Sequence, residues 1–271
     1  MKNPFYDPKV KINTRTGEQA YQDYLNRMKN EKQNKPVAKK TQAQAPINVK
    51  SNINDAESYL MLPGRTYGSY SYPDLLVSME KFYHNHTWYK AHEELHKEDS
   101  FMLTIRQYAD FLDLLRSGKV NNGKDNLVDK VVIDKVLDEI LTVKSPWRSE
   151  WLDAKFSKKG GLIKKDQWYI TYHNIDNAKI SEVTEELEDC LIEDKTPGIN
   201  LDSWLSNSNK QGLPDKKTSV GDLYYWSPRD NAVARFNANS SRANLGCGRD
   251  PDYSSTELGV RRAKILKQVS K

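Results

Sequence analysis

The stretch that decides the fold runs from Gly221 to Lys264 and reads GDLYYWSPRDNAVARFNANSSRANLGCGRDPDYSSTELGVRRAK. Aromatic residues open it at 224–226, and the segments 233–236 and 258–263 have the β-branched and aromatic character of short strands. A glycine inside the last segment, Gly259, indicates a bulge or a close approach of another backbone. The polar, tyrosine-containing loops between these strands have the composition of a recognition surface.

Most of these loop residues are polar, charged or phenolic, which suits them to binding better than to packing. The predicted ligand-binding residues are Tyr225, Arg229, Asp230, Asn231, Asn237, Asn239, Arg242, Asn244, Arg249, Asp252 and Tyr253. The predicted scaffold residues beneath them are Val233, Phe236, Leu245, Leu258 and Val260. The alternative interpretation is an ordinary set of polar surface loops that binds nothing.

The order of these segments resembles the last strands of the C-type-lectin-like fold. The closing Gly259-Val260-Arg261 strand is similar to that of the branch shared by formylglycine-generating enzymes and the variable proteins of diversity-generating retroelements. The resemblance covers about forty residues well and lacks the usual Phe in the closing strand. It implies a non-enzymatic recognition protein whose surface at 227–257, diversified in the retroelement proteins, binds a protein or a glycan.

The rest of the chain predicts two parts. Residues 1–55 carry a net charge of +6 and residues 56–271 a net charge of −1, so the first part is read as a flexible basic arm with one amphipathic helix at 17–33. The second part is predicted to be an α+β domain, a helical region followed by a C-type-lectin-like antiparallel β region with long loops. Predicted helices lie at 74–83, 88–98, 104–117 and 127–143, and a β-hairpin at 151–174.

One short motif suggests metal chemistry. Residues 92–96 read HEELH, the HExxH pattern in which two histidines one helical turn apart bind Zn²⁺ and the Glu activates water. No extended zincin motif follows, and Ala91 and Leu95 are expected to form the buried face of the helix. The sequence therefore predicts that His92 and His96 lie on the polar face, with no metal, no cofactor and no catalytic residue. A zinc metallohydrolase at His92 and His96 stays open as an alternative.

The two cysteines, Cys190 and Cys247, have neither metal-site spacing nor the close pairing that formylglycine-generating chemistry uses. Buried thiols are expected, with a disulfide as the alternative. No membrane span and no signal peptide are visible, so a cytoplasmic or particle-associated location is expected.

A neutral folded part argues against specific nucleic-acid binding. The predicted partner is a protein or glycan, with self-association or assembly into a larger particle through residues 1–33 as the alternative role.

Overall fold

The computed structural model of the chain describes residues 11–12, 15–16, 47–48, 56–161, 164–176, 179–239 and 241–266. The chain divides into two units, Met1–Ala43 and Gln44–Lys271. In the first unit, β1 (Lys11–Ile12) pairs antiparallel with β2 (Arg15–Thr16). The helix predicted at 17–33 lies outside the described residues. All other described elements belong to the second unit.

A large mixed sheet organises the second unit. Its strands are β3 (Ile47–Asn48), β4 (Tyr59–Leu62), β7 (Leu75–Phe82), β8 (Arg148–Gly161), β9 (Lys164–Asp176), β10 (Lys179–Glu186), β11 (Lys195–Ile199), β12 (Leu223–Trp226), β13 (Ala232–Ala238), β14 (Ala243–Arg249) and β15 (Leu258–Ile265). The hydrogen-bonded strand order is β11-β12-β14-β13-β8-β15-β7-β4. A side branch leaves this order at β8: β8 pairs with β9, β9 with β10, and β10 with β3. A separate hairpin joins β5 (Arg65–Tyr67) to β6 (Tyr70–Tyr72).

The sheet corrects the predicted fold class. Strands hold 43% and helices 22% of the described residues, so the class is mostly β, and the prediction of an α+β fold with a helical first part is wrong. Two of the pairings are parallel, β12 with β14 and β15 with β8, and not only antiparallel. The early strands β4 and β7 belong to the same sheet as the C-terminal strands, so the helices are an insertion between strands.

Four α-helices lie within the described residues: α1 (Trp88–Lys97), α2 (Ile105–Ser117), α3 (Lys130–Leu141) and α4 (Leu201–Asn207). Thr87 caps α1, since its hydroxyl accepts the Lys90 N–H. Thr104 and Gln107 form the predicted capping box of α2, which ends at Gly118 in the left-handed conformation. These helices confirm the predictions at 88–98, 104–117 and 127–143 within a few residues at each end. None of the described helices combines the length and apolarity needed to cross a membrane.

The predicted helix at 74–83 is a strand, β7. Its first half, Leu75, Leu76 and Val77, is completely or almost completely buried between β4 on one side and β15 on the other. A strand covered on both faces has a continuous apolar run instead of an alternating one, and such a run cannot be told from a buried helix by periodicity. The hairpin predicted at 151–174 is confirmed by β8 and β9.

The scaffold residues Val233, Phe236, Leu245, Leu258 and Val260 are buried as predicted. Phe236 and Leu245 belong to the main core. Val233, Leu258 and Val260 belong to a second, smaller core cluster. This second cluster also contains Trp88, Ala91 and Leu95 of α1, together with Trp151 of β8. It fixes α1 against the sheet and so positions the two histidines of that helix.

Candidate metal centre

Helix α1 buries one side of the HExxH motif. Its buried residues are Trp88, Ala91, His92 and Leu95, the i, i+3, i+4, i+7 spacing of a single helical stripe. The prediction that His92 lies on the polar face is therefore wrong, because His92 falls inside the same stripe as Ala91 and Leu95 and is only 6% exposed. His96, one turn further along, is half-buried beside it.

A third histidine completes the cluster. His173 of β9 lies against both histidines of α1, with ring-centroid distances of 4.8 Å to His92 and 5.3 Å to His96. One ring nitrogen from each of the three lies within 4.8 Å of the other two. Ligand nitrogens around a tetrahedral metal are about 3.3 Å apart, given bonds of about 2.0 Å, so the three nitrogens would have to approach one another on binding an ion.

A buried carboxylate holds His173 in place. Asp153 of β8 is completely buried, and its Oδ2 accepts the His173 backbone N–H at 2.7 Å and lies 3.1 Å from the ring Nδ1. With Nδ1 turned to the carboxylate, Nε2 is the ring nitrogen left for a metal. The other oxygen, Oδ1, lies 3.4 Å from Nε2 of His92, outside hydrogen-bond geometry. This carboxylate–histidine pairing is the outer shell that metal sites use to orient a ligand.

Several polar atoms of the cluster are buried without a hydrogen-bond partner among the described residues. They are both ring nitrogens of His92, Nε2 of His96 and Oδ1 of Asp153. A buried polar atom without a partner costs about 1–3 kcal/mol, so an arrangement that collects several of them in one place is typical of a ligand-binding site. A metal ion would bind one of these nitrogens from each of His92 and His96.

The electrostatics of the cluster follow from burial and from Asp153. Burial, together with the neighbouring His92 and His173, lowers the pKa of His96 to about 4. Burial also lowers the pKa of His92, against the attraction of Asp153. For His173, burial is outweighed by Asp153, which raises its pKa above the ordinary value. Burial alone would raise the pKa of Asp153. The neighbouring His173 and His92 outweigh burial and hold that pKa below the usual range.

The glutamate of the motif does not join the cluster. Glu93 is 62% exposed on its side chain and forms an ion pair with Lys90 at 2.9 Å. In the zincin reaction this residue would activate the metal-bound water, and its outward position does not support that role. Another carboxylate, Glu182 of β10, is the cross-strand partner of His173 and so projects from the same face of the sheet.

The predicted ligand-binding residues divide by exposure. Tyr225 is completely buried and donates its hydroxyl to the Leu191 carbonyl at 2.7 Å, and Asn237 is also buried, so neither is at the surface. Asp230 and Asn239 bond to the backbone, since Asp230 accepts the Lys158 N–H of β8 and Asn239 accepts the Arg242 N–H. The exposed or half-exposed remainder is Arg229, Asn231, Arg242, Arg249, Asp252 and Tyr253.

A surface cavity of about 250 Å³ opens among some of these residues, lined in part by Arg229, Arg249 and the buried Asn244. Arg235 also lines it and was not predicted from the sequence. Local alternation gives no signal for it, because alternate residues of a strand share a face and Val233, two residues earlier, is a buried scaffold residue. For His173, the signal was its place in β9 beside the buried Tyr172, which assigns it to the opposite face of the strand.

Comparison of the chain with protein-family models, with curated proteins and with solved structures finds no match. The functional assignment therefore rests on the geometry of the site.

Proposed function

We propose that this chain binds one divalent transition-metal ion through His92, His96 and His173. The observation that carries the proposal is the convergence of three imidazoles, two of which, His92 and His96, have buried nitrogens without a partner among the described residues. Imidazole ligands suit zinc, copper, nickel and iron, and three histidines in a tetrahedral arrangement are typical of zinc. The proposal reverses the sequence-based prediction that the chain binds no metal.

The metal has a structural role in this proposal. It links α1 to β9 through His96 and His173, which are more than seventy positions apart in the chain, at the edge of the smaller core cluster. Since the unfolded chain does not hold these ligands together, the binding free energy adds to the stability of the fold. Three protein ligands leave a fourth coordination position for water or a small ligand, the arrangement of catalytic zinc sites, but the outward position of Glu93 does not support hydrolysis.

The test is the metal content of the full chain, purified without a polyhistidine tag and analysed after exposure to stoichiometric zinc. We expect about one zinc per chain, and Co²⁺ in its place should give the visible absorption of a tetrahedral nitrogen site. His96→Gln and His173→Gln should each abolish that spectrum. The matched control is His86→Gln, since His86 is exposed and lies outside the cluster. A wild-type chain that takes up neither zinc nor cobalt would refute the proposal.

A second function, non-enzymatic recognition by the surface at 227–257, is favoured by the cavity that Arg229, Asn244 and Arg249 line. The resemblance to variable proteins of diversity-generating retroelements supports it, with a protein or glycan as the partner. The test is the codon variation at 221–264 across a population of the source organism. Substitutions confined to adenine-containing codons, with Val233, Phe236 and Gly259 unchanged, would establish a diversified receptor, whereas an invariant segment would exclude diversification.

A further inference from the structure

The surface cavity is formed where three strands lie side by side. In the register of the sheet, Gly246 of β14 is the partner of Arg235 on β13 and of Trp226 on β12. Cross-strand partners project from the same face. Because Gly246 has no side chain, a gap is left between Arg235 and Trp226. A Cβ at this position would lie 3.7 Å or more from its nearest neighbours, at ordinary van der Waals distance, so the site has room for a methyl group.

Two of the arginines around the cavity lack a compensating carboxylate. Arg229 forms an ion pair with Asp194 at 2.6 Å, but neither Arg235 nor Arg249 has an ion pair with any residue that the structure describes. Both lie against aromatic rings: the guanidinium carbon of Arg249 lies 3.3 Å from the ring centroid of Tyr253, and Arg235 is near Trp147. The Nε of Arg249 is buried without a hydrogen-bond partner among the described residues.

The two guanidinium groups also repel each other. Burial lowers the pKa of Arg235 to about 10, and the positive charge of Arg249 contributes to the shift. Placing like charges together in a partly desolvated site costs free energy. An anion between them would offset that cost and would satisfy the buried Nε.

We infer that this cavity binds the oxyanion group of a small ligand through Arg235 and Arg249. Guanidinium groups match the oxygens of phosphate and carboxylate with paired, charge-assisted hydrogen bonds. Trp226 is 40% exposed and lines the same cavity, so it offers a face for a planar part of the ligand. The inference gives a ligand class to the recognition surface and so rests on the second proposed function, but it does not depend on the metal.

Three probes at constant ionic strength separate the sources of the oxyanion: inorganic phosphate, phenyl phosphate and benzoate, each titrated by calorimetry into the full chain. We expect saturable binding of at least one, and phenyl phosphate tighter than phosphate if the ring contacts Trp226. Preference for benzoate over phenyl phosphate would identify a carboxylate ligand. Arg249→Gln and Arg235→Gln should each weaken binding about tenfold or more, as for hydrogen bonds to charged groups.

Two further variants keep the test decisive. Gly246→Ala places a methyl group in the cavity without a close contact, so it should fold normally and still weaken binding. Arg116→Gln is the matched control: it removes an arginine that pairs with Asp202 and does not line the cavity, and it should leave binding unchanged. Absence of saturable binding to all three probes, or equal weakening by Arg116→Gln and Arg249→Gln, would overturn the inference. The codon analysis of 221–264 would still decide the recognition role separately.

Discussion

Asp153 holds His173 at two points, accepting its backbone N–H at 2.7 Å and lying 3.1 Å from its ring Nδ1. The hydrogen-bonded pairing of β8 with β9 ends at Lys155 and Thr171. The His173 N–H lies just beyond this last pair, and the Asp153 carboxylate accepts it in place of a strand carbonyl. One side chain thus fixes both the backbone and the ring of the third histidine. The orientation of the proposed metal ligand depends on it.

Asp153→Asn should therefore weaken metal binding by about 10–100-fold, the usual cost of losing an outer-shell carboxylate. The amide oxygen still accepts the backbone N–H, but the negative charge that orients and polarises the imidazole is lost. The measurement is competition for zinc with a chromophoric chelator. Asp189→Asn serves as the control, because Asp189 is exposed and forms its ion pair with Lys216, away from the histidine cluster. Equal zinc affinity in Asp153→Asn and the wild type would show that the carboxylate has no part in the site.

Removal of the metal should lower the thermal stability of the chain. At a free metal concentration of one hundred times Kd, binding contributes about 2.7 kcal/mol, which corresponds to a fall in Tm of roughly 5–10 °C for a domain of this size. The measurement is thermal unfolding followed by circular dichroism, with zinc and after dialysis against dipicolinate. His173→Gln should show no response to the chelator. A wild-type Tm that does not change on zinc removal would contradict a structural metal.

The sequence predicts half of this site and misses the other half for a physical reason. His92 and His96 share a helix, and their i, i+4 spacing is visible in a short window. His173 and Asp153 come from a hairpin, and only the packing of α1 on the sheet brings them to the same place. Ala91 and Leu95 alone do not show on which face His92 lies. Trp88 completes the buried stripe, and that stripe includes His92.

The fold was predictable where the signal is local. The capping box at Thr104 and the hairpin at 151–174 are confirmed, since each depends on neighbouring residues. Strand β7 was missed, because its burial depends on β4 and β15, which lie far from each other in the chain. The class was missed for the same reason: strands on both sides of a helical insertion join a single sheet.

Arg261 of β15 anchors a buried ionic network. It is 1% exposed, with Nε 3.0 Å from Glu150 and Nη2 3.0 Å from Glu139, and Glu150 also accepts the Tyr108 hydroxyl. Arg261→Met should lower the free energy of unfolding by about 3–5 kcal/mol, because the buried Glu150 keeps its charge and loses the positive charge that compensates it. The measurement is urea denaturation.

Two further variants test this explanation. Arg262→Met removes a neighbouring arginine whose ion pair with Glu98 is partly exposed, and such pairs contribute about 0–1 kcal/mol. Glu150→Gln added to Arg261→Met should recover part of the lost stability, because it removes the uncompensated charge. An equal loss in Arg261→Met and Arg262→Met would show that the network does not stabilise the fold.

Gly259 is required by a close approach of backbone, as the sequence indicated. A Cβ at this position would lie 2.9 Å from the Phe82 carbonyl oxygen and 3.1 Å from the His84 ring. Gly259→Ala should therefore force β15 and β7 apart and destabilise the fold by about 1–3 kcal/mol. Urea denaturation of Gly259→Ala beside Gly246→Ala provides the comparison, since the second glycine has room for a methyl group. Equal stability of the two variants would refute the steric explanation.

Cys190 and Cys247 are free thiols in the core, 2% and 0% exposed. Burial raises the pKa of Cys190 to about 12, with a contribution from Asp189, and burial raises that of Cys247 well above its ordinary value. Because the thiolate is the reactive form, neither thiol should react with a disulfide reagent at pH 8 while the chain is folded. Both should react at once in urea, which gives a count of two thiols and excludes a disulfide. Rapid labelling of either thiol in the native chain would show that the core around β12 and β14 opens readily.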